Sequence, residues 1–237
     1  MGLAAAQTRA ADAAARLAIA GVEFVADVSG ALFHEAERLL IVADLHLEKG
    51  SAYAARRVLL PPYDTAATLA RLAAVVMRLS PRAVVALGDS FHDVRAGARM
   101  AEADRRALGD LQRGRDFIWI AGNHDPELPA FAGGERCASL SLGPVTLRHE
   151  PAPGASGEIA GHLHPVARVV SKSGGLRRRC FASDGDRCVM PAFGAYAGGL
   201  NIRDLAFAPL FPSGVAIAHV LGRNAVYGVG LAHCWPD

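Results

Sequence analysis

Short apolar, β-branched runs alternate along the chain with polar stretches punctuated by glycine, proline and aspartate. The runs Val22–Val28, Arg38–Ala43, Ala83–Leu87, Phe117–Ala121, Val145–His149, Val166–Val170, Val215–Val220 and Ala225–Val229 have the length and turn-rich flanks of buried strands, and Glu158–Ala160 is a shorter one. Two stretches follow the helical period instead. After Pro61-Pro62, Asp64 can cap a helix reaching about Leu79, with Leu69, Leu72, Val76 and Leu79 on one stripe. The spacing of Met100, Ala103, Ala107 and Leu111 predicts a second helix over about Ala98–Arg113, charged on its other side.

Strands and helices alternate up to about residue 145, and strands then follow one another. This order predicts a mixed α/β architecture with two sheets. Pro151–Gly157 reads as a loop, and neither a linker nor an internal repeat interrupts the pattern. The domain expected is therefore a single one over residues 21–237. An Ala-rich tail or helix, broken by Arg9, Asp12 and Arg16, precedes it over residues 1–20.

Composition narrows the class of protein without naming a function. The 237 residues are 51% hydrophobic and 20% charged, which excludes a disordered chain. A formal net charge of +2 does not by itself call for a nucleic-acid partner. No run is long enough to span a membrane, the start lacks the continuous apolar core of a secretory signal, and GxxxxGK[ST] is missing, so an ATP-driven motor is excluded. Cys137, Cys180, Cys188 and Cys234 show no zinc-finger spacing and read as reduced thiols of a cytoplasmic protein.

The chemistry lies where the strands end. Asp44 and His46 follow Arg38–Ala43; Asp89 follows Ala83–Leu87, with His92 behind it. Asn123 and His124 follow Phe117–Ala121, His149 ends Val145–His149, and His162 and His164 follow Glu158–Ala160. Five strands thus deliver carboxylate, imidazole or carboxamide at their C-terminal ends, the edge at which open α/β sheets bind ligands. Gly88, Gly122 and Gly161, each just before one of these residues, permit sharp turns or close backbone approach.

Oxygen and imidazole donors without thiolate suit a catalytic Mn²⁺, Fe²⁺, Zn²⁺ or Mg²⁺ site. Asp44, His46, Asp89, Asn123, His149, His162 and His164 are too many ligands for one ion and suit two sharing a carboxylate. Such a pair, about 3.5–4 Å apart, activates water and neutralises a phosphoryl transition state. The reaction expected is phosphoester hydrolysis.

The series Asp44-x-His46, Gly88-Asp89, Gly122-Asn123-His124, His149 and Gly161-His162-x-His164 resembles the calcineurin-like metallophosphoesterase superfamily, in that family's order. The resemblance implies a four-layer αββα sandwich of two mixed sheets and a dinuclear site, with Mn²⁺ the first choice of metal. It implies Asp44, His46, Asp89 and His164 on one ion, and Asp89, Asn123, His149 and His162 on the other, with Asp89 bridging. It makes His124 the histidine that stabilises the transition state or protonates the leaving oxygen. Phosphoprotein phosphatases of the superfamily place an aspartate three residues after the bridging one, paired with the catalytic histidine. Here His92 stands there, in the GDxFH form of the SbcD-type DNA repair nucleases, where the histidine belongs to the active site. That difference points to phosphodiesters of nucleic acid.

DLHLEKGSAYA, the Pro-Pro-Tyr-Asp helix start and MPAFGAYAGGLN are similar to the bacterial ligase-associated DNA damage response metallophosphoesterases. This closer resemblance implies a phosphodiesterase or endonuclease of DNA repair, working beside a DNA ligase, a helicase and an exonuclease. Two other readings are a small-molecule phosphodiesterase, for example on cyclic nucleotides, and a non-catalytic metal-binding scaffold of a repair complex. The intact Asp44, Asp89, Asn123 and His124 argue against the scaffold. Lys172 with Arg177–Arg179 forms the densest basic patch, and Arg56, Arg57, Arg95 and Arg99 could line a rim near the first two metal loops. Lys49 either contacts substrate phosphate or starts a helix. Pro191–Gly199 either covers the site or makes a tight turn, with Tyr196 the residue to test. His34, His219 and His233 stand outside every motif.

Overall fold

The computed structural model describes residues 15–58, 60–171 and 174–237. Strands β1 (Ala15–Ile19), β2 (Val22–Ala26), β3 (Leu32–His34) and β4 (Leu39–Val42) run as an antiparallel meander. β5 (Ala83–Leu87), β6 (Asp116–Ile120) and β7 (Glu135–Cys137) join β4 in parallel, completing a seven-stranded sheet in sequence order. Helices α1 (Lys49–Ala55), α2 (Asp64–Leu79), α3 (Ala96–Arg99) and α4 (Glu102–Gln112) fill the connections.

The second sheet comprises β8 (Ser139–Leu142), β9 (Val145–Arg148), β10 (Glu158–Ala160), β11 (Val166–Ser171), β12 (Gly174–Ser183), β13 (Arg187–Val189), β14 (Ile217–Leu221) and β15 (Val226–Gly230). Their order is β15-β14-β12-β13-β10-β9-β8, and β11 pairs with β12 alone. Only β9, β10 and β13 run parallel; the other pairs are antiparallel.

Two-sided burial explains the continuous apolar runs. In β4, Leu40 and Val42 face the helices while Leu39 and Ile41 face the second sheet; Val84 and Val85 divide in the same way in β5. Phe181, Ile159 and Leu147 meet them from the second sheet. Strands covered on both faces lose the polar alternation of half-exposed ones.

The outer face of the second sheet is covered by Ile202, Phe207, Leu210 and Phe211. These come from a segment holding the 3₁₀ turn Leu205–Phe207 rather than from an α-helix. The α-helices described lie in the first half of the chain, so the two-sheet sandwich carries α-helices on one side and a 3₁₀-and-loop layer on the other.

Several elements differ from expectation. The helix expected over Ala98–Arg113 is two, α3 and α4, broken by extended backbone at Met100 and Ala101. Arg99 is held by Ser51 and Asp93 at 3.0 and 2.8 Å, and Met100 is buried, so the chain turns there to satisfy both. Leu108 and Leu111 are the buried residues of α4's apolar face, and Ala103 is exposed. In the segment expected as a tail or helix over 1–20, residues 15–19 form edge strand β1, and residues 1–14 lie outside the described residues.

Candidate metal centre

Five strands that run parallel to at least one neighbour lead into site residues. β4 and β5 lead into Asp44 and Asp89, β6 into Asn123, β9 into His149 and β10 into His162. The first two loops are laced together: the His46 and Leu47 amides donate to the carbonyls of Asp89 and Ser90 at 2.9 Å, and the His92 amide donates to Leu47 at 2.9 Å. Across the sandwich, the His162 amide donates to the Asp44 carboxylate at 3.1 Å. Asp44, His46, Asp89, His162 and His164 all hold positive φ, at 53°, 44°, 46°, 69° and 48°. Such left-handed backbone is unfavourable for residues other than glycine and gathers at functional sites that over-determine it.

The donors form two groups, Asp44–His46–His164 and Asp89–His149–His162. In the first, His164 Nε2 lies 3.2 Å from Asp44 Oδ1 and 3.3 Å from His46 Nε2. In the second, His149 Nε2 lies 3.3 Å from both Asp89 Oδ1 and His162 Nδ1, and 2.7 Å from Asn123 Oδ1. The other Asp89 oxygen, Oδ2, is 4.0 Å from His46 Nε2. One carboxylate therefore turns an oxygen toward each group. All seven residues expected as ligands come together here.

Cations fit the donor set. His149 Nδ1 is 2.8 Å from the Leu87 carbonyl, so its proton resides there in the neutral ring and Nε2 presents a lone pair. That lone pair faces an amide oxygen and a carboxylate oxygen, an arrangement that is repulsive until a positive charge sits among them. Asp44 is fully buried, Asp89 and His149 nearly so, which sharpens the demand for a counter-charge. Burial, followed by the charges of His164 and Lys49, holds His46 far below the usual imidazole range, at about 2, in the neutral form that ligates.

His124 stands beside the two groups. Its amide donates to Asp89 Oδ1 at 3.0 Å, its Nε2 lies 3.9 Å from Asp89 Oδ2, and its Nδ1 is 2.8 Å from the main-chain carbonyl of His92. The His92 and His124 rings stack at 5.4 Å. Burial, then Lys49 and His124, lowers His92 to about 4. The partner of His124 Nδ1 is thus a peptide oxygen and not a side-chain carboxylate.

Sequence reasoning passed over the residues that brace these loops. Asp125, next to His124, accepts from the amides of Ser90, Phe91 and Gly122 at 2.8, 3.1 and 3.2 Å, clamping the second loop to the third; burial raises it to about 6. Glu48 is buried and accepts from Ser51 and Thr65 at 2.6 and 2.9 Å, fixing the start of α1. No spacing signals Glu48, whereas Asp125 is flagged only by adjacency to the Asn-His pair.

Pro191–Gly199 straps the outside of the first metal loop. The Phe193 and Gly194 amides donate to the Ala43 and Asp44 carbonyls at 2.7 and 3.0 Å, and the Tyr196 hydroxyl donates to Pro61. The densest basic patch is largely engaged in structure: Arg177 pairs with Asp237 at 3.1 Å, and Arg179 donates to the Ala192 carbonyl at 2.7 Å. Lys172 lies outside the described residues. Arg99 is tied to Ser51 and Asp93, while Arg56, Arg57 and Arg95 are exposed. His34, His219 and His233 lie apart from the two groups.

An open cleft of about 400 Å³, lined by Asn123, Ser139, Arg148, His149 and Glu150, adjoins the second group. A larger cavity of about 670 Å³ lies between α2 and α4, beside Arg38, Pro81 and Arg115 at the opposite strand ends, and holds no site residue.

Two mixed sheets with these donors at their shared edge make the architecture the two-sheet fold of the metallophosphoesterases. Among solved structures the chain is similar to the nuclease MPE of Pseudomonas putida, with 28% identity and a TM-score of 0.70, covering 91% of this chain and 100% of that one. The phosphoesterase Yfce of E. coli aligns at 14% identity and a TM-score of 0.41, over 81% of this chain and 98% of that one. No family model and no curated protein matches the chain. No helix among the described residues is long and apolar enough to cross a membrane.

Proposed function

We propose that this chain is a dinuclear metal-dependent phosphodiesterase that cleaves nucleic acid, DNA first among its substrates. The observation that carries the reading is the Asp89 carboxylate, with one oxygen facing His149 and the other facing His46. The resemblance to P. putida nuclease MPE along nearly the whole chain supports nuclease action.

Asp44, His46, Asp89 and His164 would hold one cation, and Asp89, Asn123, His149 and His162 the other, Mn²⁺ being the first choice. When bound, such a pair supplies Lewis acidity that activates water and offsets charge building on the phosphoryl oxygens. The protein's own residues set the rest. The Leu87 carbonyl fixes the His149 tautomer, and the His162 amide steadies Asp44. His124 donates from Nδ1 to the His92 carbonyl, which turns Nε2, 3.9 Å from Asp89, toward the site to pass a proton to the leaving oxygen. The open cleft beside Asn123 suits a polymer better than a lidded pocket would.

The closer sequence resemblance extends the proposal to a cytoplasmic DNA repair endonuclease acting beside a DNA ligase, a helicase and an exonuclease. The test measures hydrolysis of bis-p-nitrophenyl phosphate, p-nitrophenyl phosphate and end-labelled DNA by chelated and Mn²⁺-restored protein. Metal-dependent cleavage of the diester and of DNA is expected. Diester cleavage without DNA cleavage would leave a small-molecule esterase, and preference for the monoester would overturn both.

A further inference from the structure

A row of rings leads away from His124. Beyond the His92 ring, stacked on it at 5.4 Å, the Tyr53 ring of α1 lies 5.8 Å from His92. On the same side of α1, four residues before Tyr53, Lys49 places its Nζ 6.0 Å from the Tyr53 ring centre. Arg56, just past the helix end, is exposed three residues beyond Tyr53. Spacings of four and three put Lys49, Tyr53 and Arg56 on one helix face.

The other face of α1 is fastened. The Gly50 amide donates to Asp64 at 2.9 Å, Ser51 donates to Glu48, and Arg99 donates to Ser51 at 3.0 Å. A seven-residue helix so braced presents a fixed surface, and no described hydrogen bond occupies the Tyr53 hydroxyl or the Lys49 ammonium. None of these side chains belongs to the two donor groups. They suit a neighbour that is both flat and anionic.

We infer that this face of α1 seats the nucleotide on the leaving side of the scissile phosphate, with its base against Tyr53 and flanking phosphates on Lys49 and Arg56. The inference rests on the nucleic-acid reading above. The side follows from His124: the ring that delivers the proton marks where the leaving oxygen sits, and the row His124–His92–Tyr53 runs outward from it. Aromatic rings bind bases without regard to sequence, and paired cations hold the backbone. Tyr53 is thus a positioning residue, with no bond to the reacting atoms.

The test uses the Mn²⁺-loaded full chain, a short oligonucleotide with a mapped cleavage position, and its analogue lacking the base on the leaving-side nucleotide. Wild-type kcat/KM should fall about tenfold or more when that base is removed. Tyr53→Leu should lose about as much on the intact strand and less than about twofold further on the baseless one, as coupled partners do. Tyr53→Phe should stay within about threefold of wild type, because stacking needs the ring and not the hydroxyl. Indifference of the wild type to the missing base would overturn the inference, as would a Tyr53→Leu loss equal on both strands. If Tyr53→Leu fails to fold, the wild-type and Tyr53→Phe arms still decide. Failure of the nucleic-acid reading shows differently: the wild type then hydrolyses bis-p-nitrophenyl phosphate but no oligonucleotide, and the inference falls with it.

Discussion

The main-chain carbonyl of His92 lies 2.8 Å from Nδ1 of His124, so the ring that faces Asp89 is oriented by the peptide of its neighbour and not by an acidic side chain. On the function proposed above, the peptide oxygen takes the Nδ1 proton and Nε2 is left to exchange one with substrate. His124→Ala removes that atom and no ligand of either group. We expect turnover of bis-p-nitrophenyl phosphate to fall about 10²–10⁴-fold with metal content unchanged by atomic absorption. His92→Ala keeps the carbonyl and should cost at least about tenfold less than His124→Ala. Equal losses would show that the His92 side chain, rather than its peptide, does the orienting.

Asp89 sends Oδ1 to His149 and Oδ2 toward His46, and it also accepts the His124 amide. Removing its carboxylate therefore strips a donor from both groups at once. Asp89→Ala should bind fewer than two Mn²⁺ per chain at concentrations that saturate the wild type, and lose activity with them. Two metals retained in that variant would contradict a bridging role.

The strands that carry the site were legible as short apolar runs, β4, β5 and β10 because they are buried on both faces. Ala83–Leu87 and Glu158–Ala160 occur as read, and Asp64–Leu79 is a helix with its predicted bounds, set by a proline pair before it and a clear stripe within it. β12 was not legible: its first half carries Arg177–Arg179 and two glycines and pairs only with β11, while Cys180–Ser183 alone is buried. Short edge strands such as β7 and β8 lack an apolar run for the same reason, since one face meets water. The donors were legible by their place after strands, yet Glu48 and Tyr53 were not, because α1 is seven residues long and gains its stability from Thr65, Asp64 and Arg99. Contacts between loops leave no period in a sequence.

Gly122 illustrates how tightly those loops are set. A Cβ there would overlap the Asp89 main-chain nitrogen, and it would lie 2.6 Å from Asp125 Oδ1. Neither neighbour can yield, since the Asp125 carboxylate is pinned by three amides. Gly122→Ala should cost about 1–3 kcal/mol, as overpacking does, lowering Tm by roughly 2–12 °C for a chain of this size. Metal affinity should fall with it, because the shift moves Asp89. A variant with wild-type Tm and two tightly held metals would refute the close packing of these loops.

The two groups of arginines should behave differently toward DNA. Arg177 is already paired with Asp237 and donates to the Gly199 carbonyl, so a phosphate would have to displace both. Arg56 is exposed and sits near His92. A cation that contacts phosphate releases about one counterion, and its loss flattens the dependence of log affinity on log salt by about 0.7–0.9. Arg56→Ala should reduce that slope by about this amount in fluorescence anisotropy titrations of the chelated protein with an oligonucleotide. Arg177→Ala should leave the slope within about 0.2 of wild type. The opposite ranking would move the nucleic-acid path from the rim beside α1 to the β11–β12 ribbon, and would place the strand on the second sheet's side of the metal centre.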